Sequence, residues 1–204
     1  MRSLAILLGL SVFVTISSPP ASCELLAIGV LVGPVSSGQS GDPLASRIES
    51  IDGVWGFIAG GYAEWNLPWR GWSVLSEVDL VAKGFAYRYR SEWPRVATDS
   101  GPNATFLSLP VLVSYRFGTG SVRPYMSGGL GPEVLLDATG AIGSSGPRVA
   151  AALHIGAGVI IRDRLDMRVR YFRDVSDAPT ADHVTIQDPR NHGLAYTVGL
   201  RVAR

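Results

Sequence analysis

The chain has little of what most catalytic and metal sites are built from. Its 204 residues include one cysteine and three histidines. One cysteine cannot form an internal disulfide, and no HExxH, CxxC, GxSxG or phosphate-loop pattern occurs. We therefore expect no enzyme activity, no cofactor and no metal ion.

Charge is also scarce. Charged residues make up 17% of the chain, below the roughly 25% that is usual for soluble domains. The formal net charge is +1, so no basic excess recommends nucleic acid as a partner. Glycine is abundant instead: 24 residues, without the period of collagen. The length fits one folded domain.

The first 23 residues have the pattern of a secretory signal peptide. Arg2 precedes an apolar run over residues 4–16, and small residues follow up to Cys23. This run is too short for the ~20 residues of a transmembrane helix, although an uncleaved anchor is the competing interpretation. Cys23 is either removed at an ordinary cleavage site or acylated in a lipobox. We favour cleavage near Cys23, because Pro20 stands where a lipobox normally has leucine.

Beyond residue 23 the hydrophobic pattern has a period of two, which places alternate side chains on opposite faces of a strand. One clear stretch sets apolar against charged residues: Leu165, Met167, Val169 and Tyr171 against Arg164, Asp166, Arg168 and Arg170. The same alternation predicts eight strands, near residues 24–33, 54–67, 72–88, 104–117, 122–136, 148–162, 164–173 and 192–203. Three prolines fall inside them and are interpreted as bulges or strand ends: Pro110, Pro124 and Pro132.

The connections between these strands alternate in length. Long ones cover residues 34–53, 89–103, 137–147 and 174–191, and short ones lie near residues 68–71, 118–121 and 162–164. Outer-membrane barrels have an even number of strands, short periplasmic turns and long outside loops. The sequence therefore predicts an all-β fold, an eight-stranded antiparallel up-and-down transmembrane β-barrel over residues 24–204, preceded by a signal peptide.

Charge decides which face of each strand meets the solvent. In a membrane barrel the uncharged face meets lipid and the charged face lines the lumen, whereas a soluble periplasmic ligand-binding barrel has the opposite arrangement. Small residues crowd the charged face and aromatic residues gather at the ends of the apolar one, which favours lipid. We expect a structural network of lumen charges formed by Glu64, Glu77, Asp79, Lys83, Arg116, Arg123, Glu133, Arg168, Arg170 and Arg201. Eight strands leave room for side chains but not for a large open pore.

Several stretches resemble a known family. Residues 106–117 read aromatic-Leu-x-Leu-Pro, an apolar run, then Tyr-x-Phe; residues 123–129 begin with Arg-Pro-Tyr; and residues 77–84 contain Glu-Val-Asp-Leu and Lys-Gly. In this the chain resembles the bacterial outer-membrane β-barrel domains called porin-like or PorT-like, over residues 24–204. The resemblance implies an eight-stranded barrel in the outer membrane, without catalytic residues.

We expect a structural or interaction role for the outside loops, with outer-membrane lipid and the barrel-assembly machinery as partners and with the chain as a monomer. An outer-membrane lipid-modifying enzyme is the alternative. A lipid A deacylase of this kind needs a His-x-Ser pair, and none of His154, His183 and His192 has serine two positions later.

The cleavage hypothesis is testable by replacing Cys23 with alanine. Acylation needs the cysteine thiol, so a Cys23→Ala precursor of a lipoprotein would stay unprocessed, whereas ordinary cleavage would continue. We expect normal export of Cys23→Ala, and an intact mass for the wild-type mature chain with no added lipid. An acylated Cys23 as the first residue would contradict this expectation.

Overall fold

In the computed structural model, the described residues are 24–43, 48–89, 98–99, 104–138, 149–176 and 186–203. The proposed signal peptide lies outside them and stays a prediction. Within these ranges no helix is long and apolar enough to cross a membrane. The strands are β1 Leu25–Pro43, β2 Ile48–Asn66, β3 Trp72–Lys83, β4 Phe85–Tyr89, β5 Thr98–Asp99, β6 Ala104–Ser108, β7 Val111–Arg116, β8 Val122–Ala138, β9 Val149–Ile161, β10 Leu165–Asp174 and β11 Ile186–Ala203.

These segments close into one antiparallel barrel of eight strands. β3 and β4 are consecutive parts of one barrel strand, and β5, β6 and β7 are parts of the next. Each barrel strand pairs with its neighbour along the chain, and β1 closes the ring by pairing with β11 from Ala27–Ala203 to Pro43–Ile186. The predicted all-β, up-and-down fold is confirmed. We call the end with the three short connections the turn end and the opposite end the loop end.

Three strands are longer than predicted. β1, β2 and β11 have 19, 19 and 18 residues, so much of the predicted loop 34–53 is strand. The sequence after residue 35 is rich in serine and glycine and has no apolar alternation. Its backbone nevertheless continues the ladder, with Gly38 opposite His192 and Ser40 opposite Arg190. Backbone hydrogen bonds do not depend on side-chain polarity once the neighbouring strands fix the register.

The prolines behave differently from one another. Pro110 lies between β6 and β7, as expected for a strand end, and its carbonyl accepts a hydrogen bond of 3.0 Å from the Glu77 N–H. Pro124 and Pro132 lie inside β8, so their interpretation as bulges or strand ends was wrong. Pro124 sits beside the end of β7, and Pro132 sits beside the break at Pro110. Their missing N–H groups therefore fall where the neighbouring ladder is already interrupted.

The shortest connection, residues 162–164 between β9 and β10, contains a tight turn from Ile161 to Arg164. Arg162 and Asp163 have φ angles of 49° and 59°, and the Arg164 N–H donates to the Ile161 carbonyl at 3.1 Å. Positive φ at both central residues is the type I′ pattern, whose twist matches that of the flanking strands. The turn places the Asp163 carboxylate beside the mouth of the lumen.

The two faces of the wall differ sharply in polarity. Along β10 the charged side chains are buried and the apolar ones exposed: Asp166, Arg168 and Arg170 at 3%, 7% and 4%, against Met167, Val169 and Tyr171 at 43%, 43% and 36%. β1 also exposes Ile28, Val30 and Val32, and β11 exposes the alternate apolar residues from Leu194 to Val202. The continuous apolar rows point outward and the buried charges point into the lumen, which also contains an apolar cluster that includes Leu31, Val35 and Ile58. An interior with this many charges contradicts a soluble carrier barrel with an apolar interior.

The narrow lumen accommodates large side chains by placing glycine beside them. Tyr62 is the cross-strand partner of Gly29, and Tyr125 is the partner of Gly158. A Cβ atom at Gly29 or Gly158 would lie 2.5 or 2.6 Å from the neighbouring tyrosine ring. Large and small residues therefore alternate around the interior, as in other small barrels.

Two adjacent glycines in β8 provide a test of this crowding. A methyl group on inward-facing Gly129 would lie 2.0 Å from the Val111 carbonyl oxygen, whereas on outward-facing Gly128 its nearest contact is 3.7 Å away. We expect Gly129→Ala to destabilise the barrel by about 1–3 kcal/mol and Gly128→Ala to have little effect. Urea unfolding in detergent micelles measures both, and equal losses would contradict the argument.

Candidate functional site

The site is the charged lumen, and the arginines at its centre come from β10. The period of two directs Arg168 and Arg170 inward, where small residues on the neighbouring strands leave them space. Gly158 and Thr197 flank Arg168, and Gly156 and Ala195 flank Arg170. Two long cationic side chains can therefore reach across the lumen without meeting a large neighbour in their own layer.

The centre of the network is an ion-pair cluster between β10 and β3. The Glu77 carboxylate accepts hydrogen bonds from both Arg168 and Arg170, one on each oxygen. Arg170 also donates to Asp79 at 2.8 Å, and Arg168 also binds Asp166 on its own strand. Glu77 and Asp79 have no exposed surface (0%). Charges removed from water in this way must be paired, and here each carboxylate has a guanidinium partner.

Two tyrosines complete this central layer. The Arg168 guanidinium lies 4.9 Å from the centre of the Tyr62 ring, within range of a cation–π interaction. The Tyr125 hydroxyl donates a 2.8 Å hydrogen bond to Asp166. The tyrosines are also the residues seated beside Gly29 and Gly158, so packing and electrostatics fix the same side chains.

A second layer lies toward the loop end. Lys83 of β3 forms an ion pair with Glu133 of β8, and its ammonium lies 4.2 and 5.0 Å from the ring centres of Phe172 and Phe106. Nearer the loops, the Asn191 side-chain amide donates to Asp174 at 2.9 Å. Rings and ion pairs together fill this part of the lumen.

A third layer forms the mouth at the turn end. Glu64 accepts hydrogen bonds of 2.6 Å from both Arg201 and the Ser73 hydroxyl, and its carboxylate lies 3.5 Å from the Arg116 guanidinium. Asp163, from the β9–β10 turn, pairs with Arg123 and lies 3.3 Å from Arg201. This layer contains more arginines than carboxylates.

The structure places all ten residues of the predicted network in the lumen, in three layers rather than one. The ten predicted residues did not include Tyr62, Tyr125, Asp163, Asp166 and Asp174, which are also members. Tyr62 is two residues from Glu64, so the period of two was a usable signal for it. Asp163 gave no such signal, because its role depends on how the turn bends back over the mouth.

The histidines do not form a common site. His154 is buried at 2% exposure and faces the lumen opposite Gly129, away from the lipid-facing surface. His192 is half-buried near the loop end, and His183 lies outside the described residues. Among the side chains that the structure describes, no group of three His, Cys, Asp or Glu is placed to hold a metal ion.

Glu77 is the residue on which the central cluster depends. Glu77→Gln removes the carboxylate shared by two buried guanidinium groups, and breaking a buried ion pair from one side costs about 3–5 kcal/mol. We expect that loss in urea unfolding of the barrel in micelles. Glu24→Gln, at an exposed position of the turn end, should stay within about 0.5 kcal/mol of wild type. A wild-type midpoint for Glu77→Gln would contradict the role of the cluster.

No protein-family model matches the chain, and no curated protein matches its sequence. Solved structures that resemble it include Neisserial surface protein A (16% identity, TM-score 0.47, covering 85% of this chain and 96% of that one). They also include the outer membrane enzyme PagL (15%, 0.46, 85% and 98%) and the outer membrane protein OprG from Pseudomonas aeruginosa (10%, 0.48, 89% and 98%). Resemblances at these sequence identities and TM-scores carry no argument about the function of this chain. The chain's own coordinates show a closed eight-stranded barrel with an apolar outer face and a charged lumen, which is the architecture of a bacterial outer-membrane β-barrel.

Proposed function

We propose that the mature chain is a monomeric, non-enzymatic outer-membrane barrel with a closed lumen, and that its loop end acts as an interaction surface. The observation that carries this proposal is the inversion of polarity across the wall: apolar rows outside and fully buried ion pairs inside. Outer-membrane lipid then surrounds the apolar outer face of the barrel, and the barrel-assembly machinery inserts the chain into the membrane.

The outer face supports a location in lipid. Among the outward-facing strand residues whose side chains are described, the arginines are Arg173 and Arg190, both near the loop end. An arginine or lysine at the bilayer midplane costs about 2–4 kcal/mol, and none occupies the middle of this surface. Aromatic rings pack together on the same face, with Trp55 against Tyr196 and Trp72 against Tyr115. Such rings favour the headgroup level.

The lumen supports a closed barrel. Salt bridges join β10 to β3 and β3 to β8 across the interior. The carboxylates at the centre have no contact with solvent, so no wide aqueous passage reaches that level of the described structure. A steady ion current would require these pairs to separate, at the cost of leaving buried charges unpartnered.

The long strands support a role for the loop end. A tilted strand of about 9–11 residues crosses a bilayer, and β1, β2 and β11 are almost twice that length. About eight residues of each therefore extend beyond the apolar belt. In β1 and β11 this extension is polar in sequence, and the Ser40 hydroxyl donates to the Arg190 carbonyl at 3.3 Å. A paired rim of this kind presents the connecting loops to partners outside the cell.

The alternative of a lipid-modifying enzyme has no comparable support. A catalytic histidine acting on lipid must lie at the lipid-facing rim with its nucleophile. His154 faces the lumen instead, and His192, in the outward-facing row of β11, has no serine two positions later. A lipid-acyl hydrolysis assay on the purified barrel, with His154→Ala and His183→Ala beside it, separates the two functions, because activity lost in either variant would favour the enzyme.

Location and closure are tested together on the expressed chain. We expect it in the outer-membrane fraction, migrating differently before and after boiling because a folded barrel resists detergent. In planar bilayers we expect no steady large conductance under conditions in which a known large porin conducts. Recovery from the periplasmic extract would overturn the location, and a stable large current would overturn the closed lumen.

A further inference from the structure

A cavity at the turn end is not explained by a structural plug. It has a volume of about 580 Å³ and lies between the turns at residues 67–71 and 117–121. Its size falls within the roughly 300–1,000 Å³ of small-ligand pockets. The lining is basic and aromatic: Arg70, Arg116, Arg123 and Tyr115, with Gly71 and Gly118 at the turns.

Charge at this mouth is unbalanced, unlike charge deeper in the lumen. Four arginines meet two carboxylates here: Arg70, Arg116, Arg123 and Arg201 against Glu64 and Asp163. In the two other layers five carboxylates meet three cations: Glu77, Asp79, Glu133, Asp166 and Asp174 against Lys83, Arg168 and Arg170. A surplus of positive charge is therefore confined to the layer that contains the cavity.

Three of these arginines also have unused donors. The Nε atoms of Arg116, Arg123 and Arg201 are buried, and none has a hydrogen-bond partner among the described residues. The Arg116 side chain is only 10% exposed and lines the cavity. Buried donors normally find a partner, and guanidinium groups match the oxygens of a phosphate group in geometry and charge. An oxyanion at this mouth would accept hydrogen bonds from these donors.

The position of the cavity indicates where such an anion comes from. Tyr115 forms one wall, and on the outer face its ring packs against Trp72 and Phe117, with ring centres 5.1 and 4.9 Å apart. In a membrane this aromatic cluster lies at headgroup level. A lipid beside it would place its acyl chains on the apolar wall and its phosphate within reach of the arginines.

We propose that the turn-end cavity binds the phosphate group of an anionic glycerophospholipid, with Arg70, Arg116 and Arg123 as its ligands. The site goes beyond the proposed function, since a barrel with a closed lumen needs no ligand at its mouth. It also accounts for a basic layer that the ion pairs of the lumen leave uncompensated.

The test is a binding titration on the folded full-length barrel in a zwitterionic detergent. Native mass spectrometry measures the bound fraction. The probes are phosphatidylglycerol, phosphatidylcholine and inorganic phosphate. We expect saturable binding of phosphatidylglycerol that weakens as salt is added. Arg70→Gln combined with Arg123→Gln should weaken it by at least tenfold, since charge-assisted hydrogen bonds are strong. The control is Arg164→Gln, which removes one positive charge from an exposed residue of the β9–β10 turn and is compared with Arg70→Gln alone.

Each outcome decides the matter. Binding of phosphatidylglycerol without inorganic phosphate supports the lipid site, and binding of both retains the phosphate site but opens it to small anions. No saturable binding, or an equal loss in Arg164→Gln, overturns the proposal. Because Arg70 is exposed and makes no ion pair among the described residues, Arg70→Gln alone keeps the test valid if the double variant fails to fold. The titration needs no membrane, so its failure is distinct from a failure of the proposed location.

Discussion

The structure depends on the pairing of charges inside a closed and narrow wall. Eight strands leave an interior just wide enough for side chains, so Glu77 and Asp79 lie out of contact with solvent. A carboxylate in that position is tolerated only with a cation beside it, and β10 supplies Arg168 and Arg170. These pairs join opposite sides of the barrel, which neighbouring-strand hydrogen bonds cannot do.

That pairing is possible because the wall provides space where the long side chains need it. Glycines stand beside the tyrosines, and small residues flank the arginines. The high glycine content of the chain therefore reflects crowding inside the barrel more than turns. The apolar outer face follows from the same alternation, because a strand that turns its charged row inward must turn the other row toward its surroundings.

The lumen is not uniform from one end to the other. In its central layer and in the layer toward the loop end every cation is paired with a carboxylate, whereas the layer at the turn end holds surplus arginine beside a cavity. A lumen filled only by matched ion pairs would carry no surplus charge at any level. The division gives the two ends different chemistry: a polar rim of long strands at one end and an anion-attracting mouth at the other.

The sequence by itself determined the class of fold, the number of barrel strands, the alternation of turns and loops, and the face on which each charge lies. All of these follow from local periodicity, which is a property of consecutive residues. Only the tertiary structure decided which charges meet. Glu77 and Arg168 are 91 residues apart, and their contact depends on ring closure and shear. Tertiary pairing also decided the length of β1 and β11, because backbone hydrogen bonds between neighbours extend a strand where side chains give no pattern.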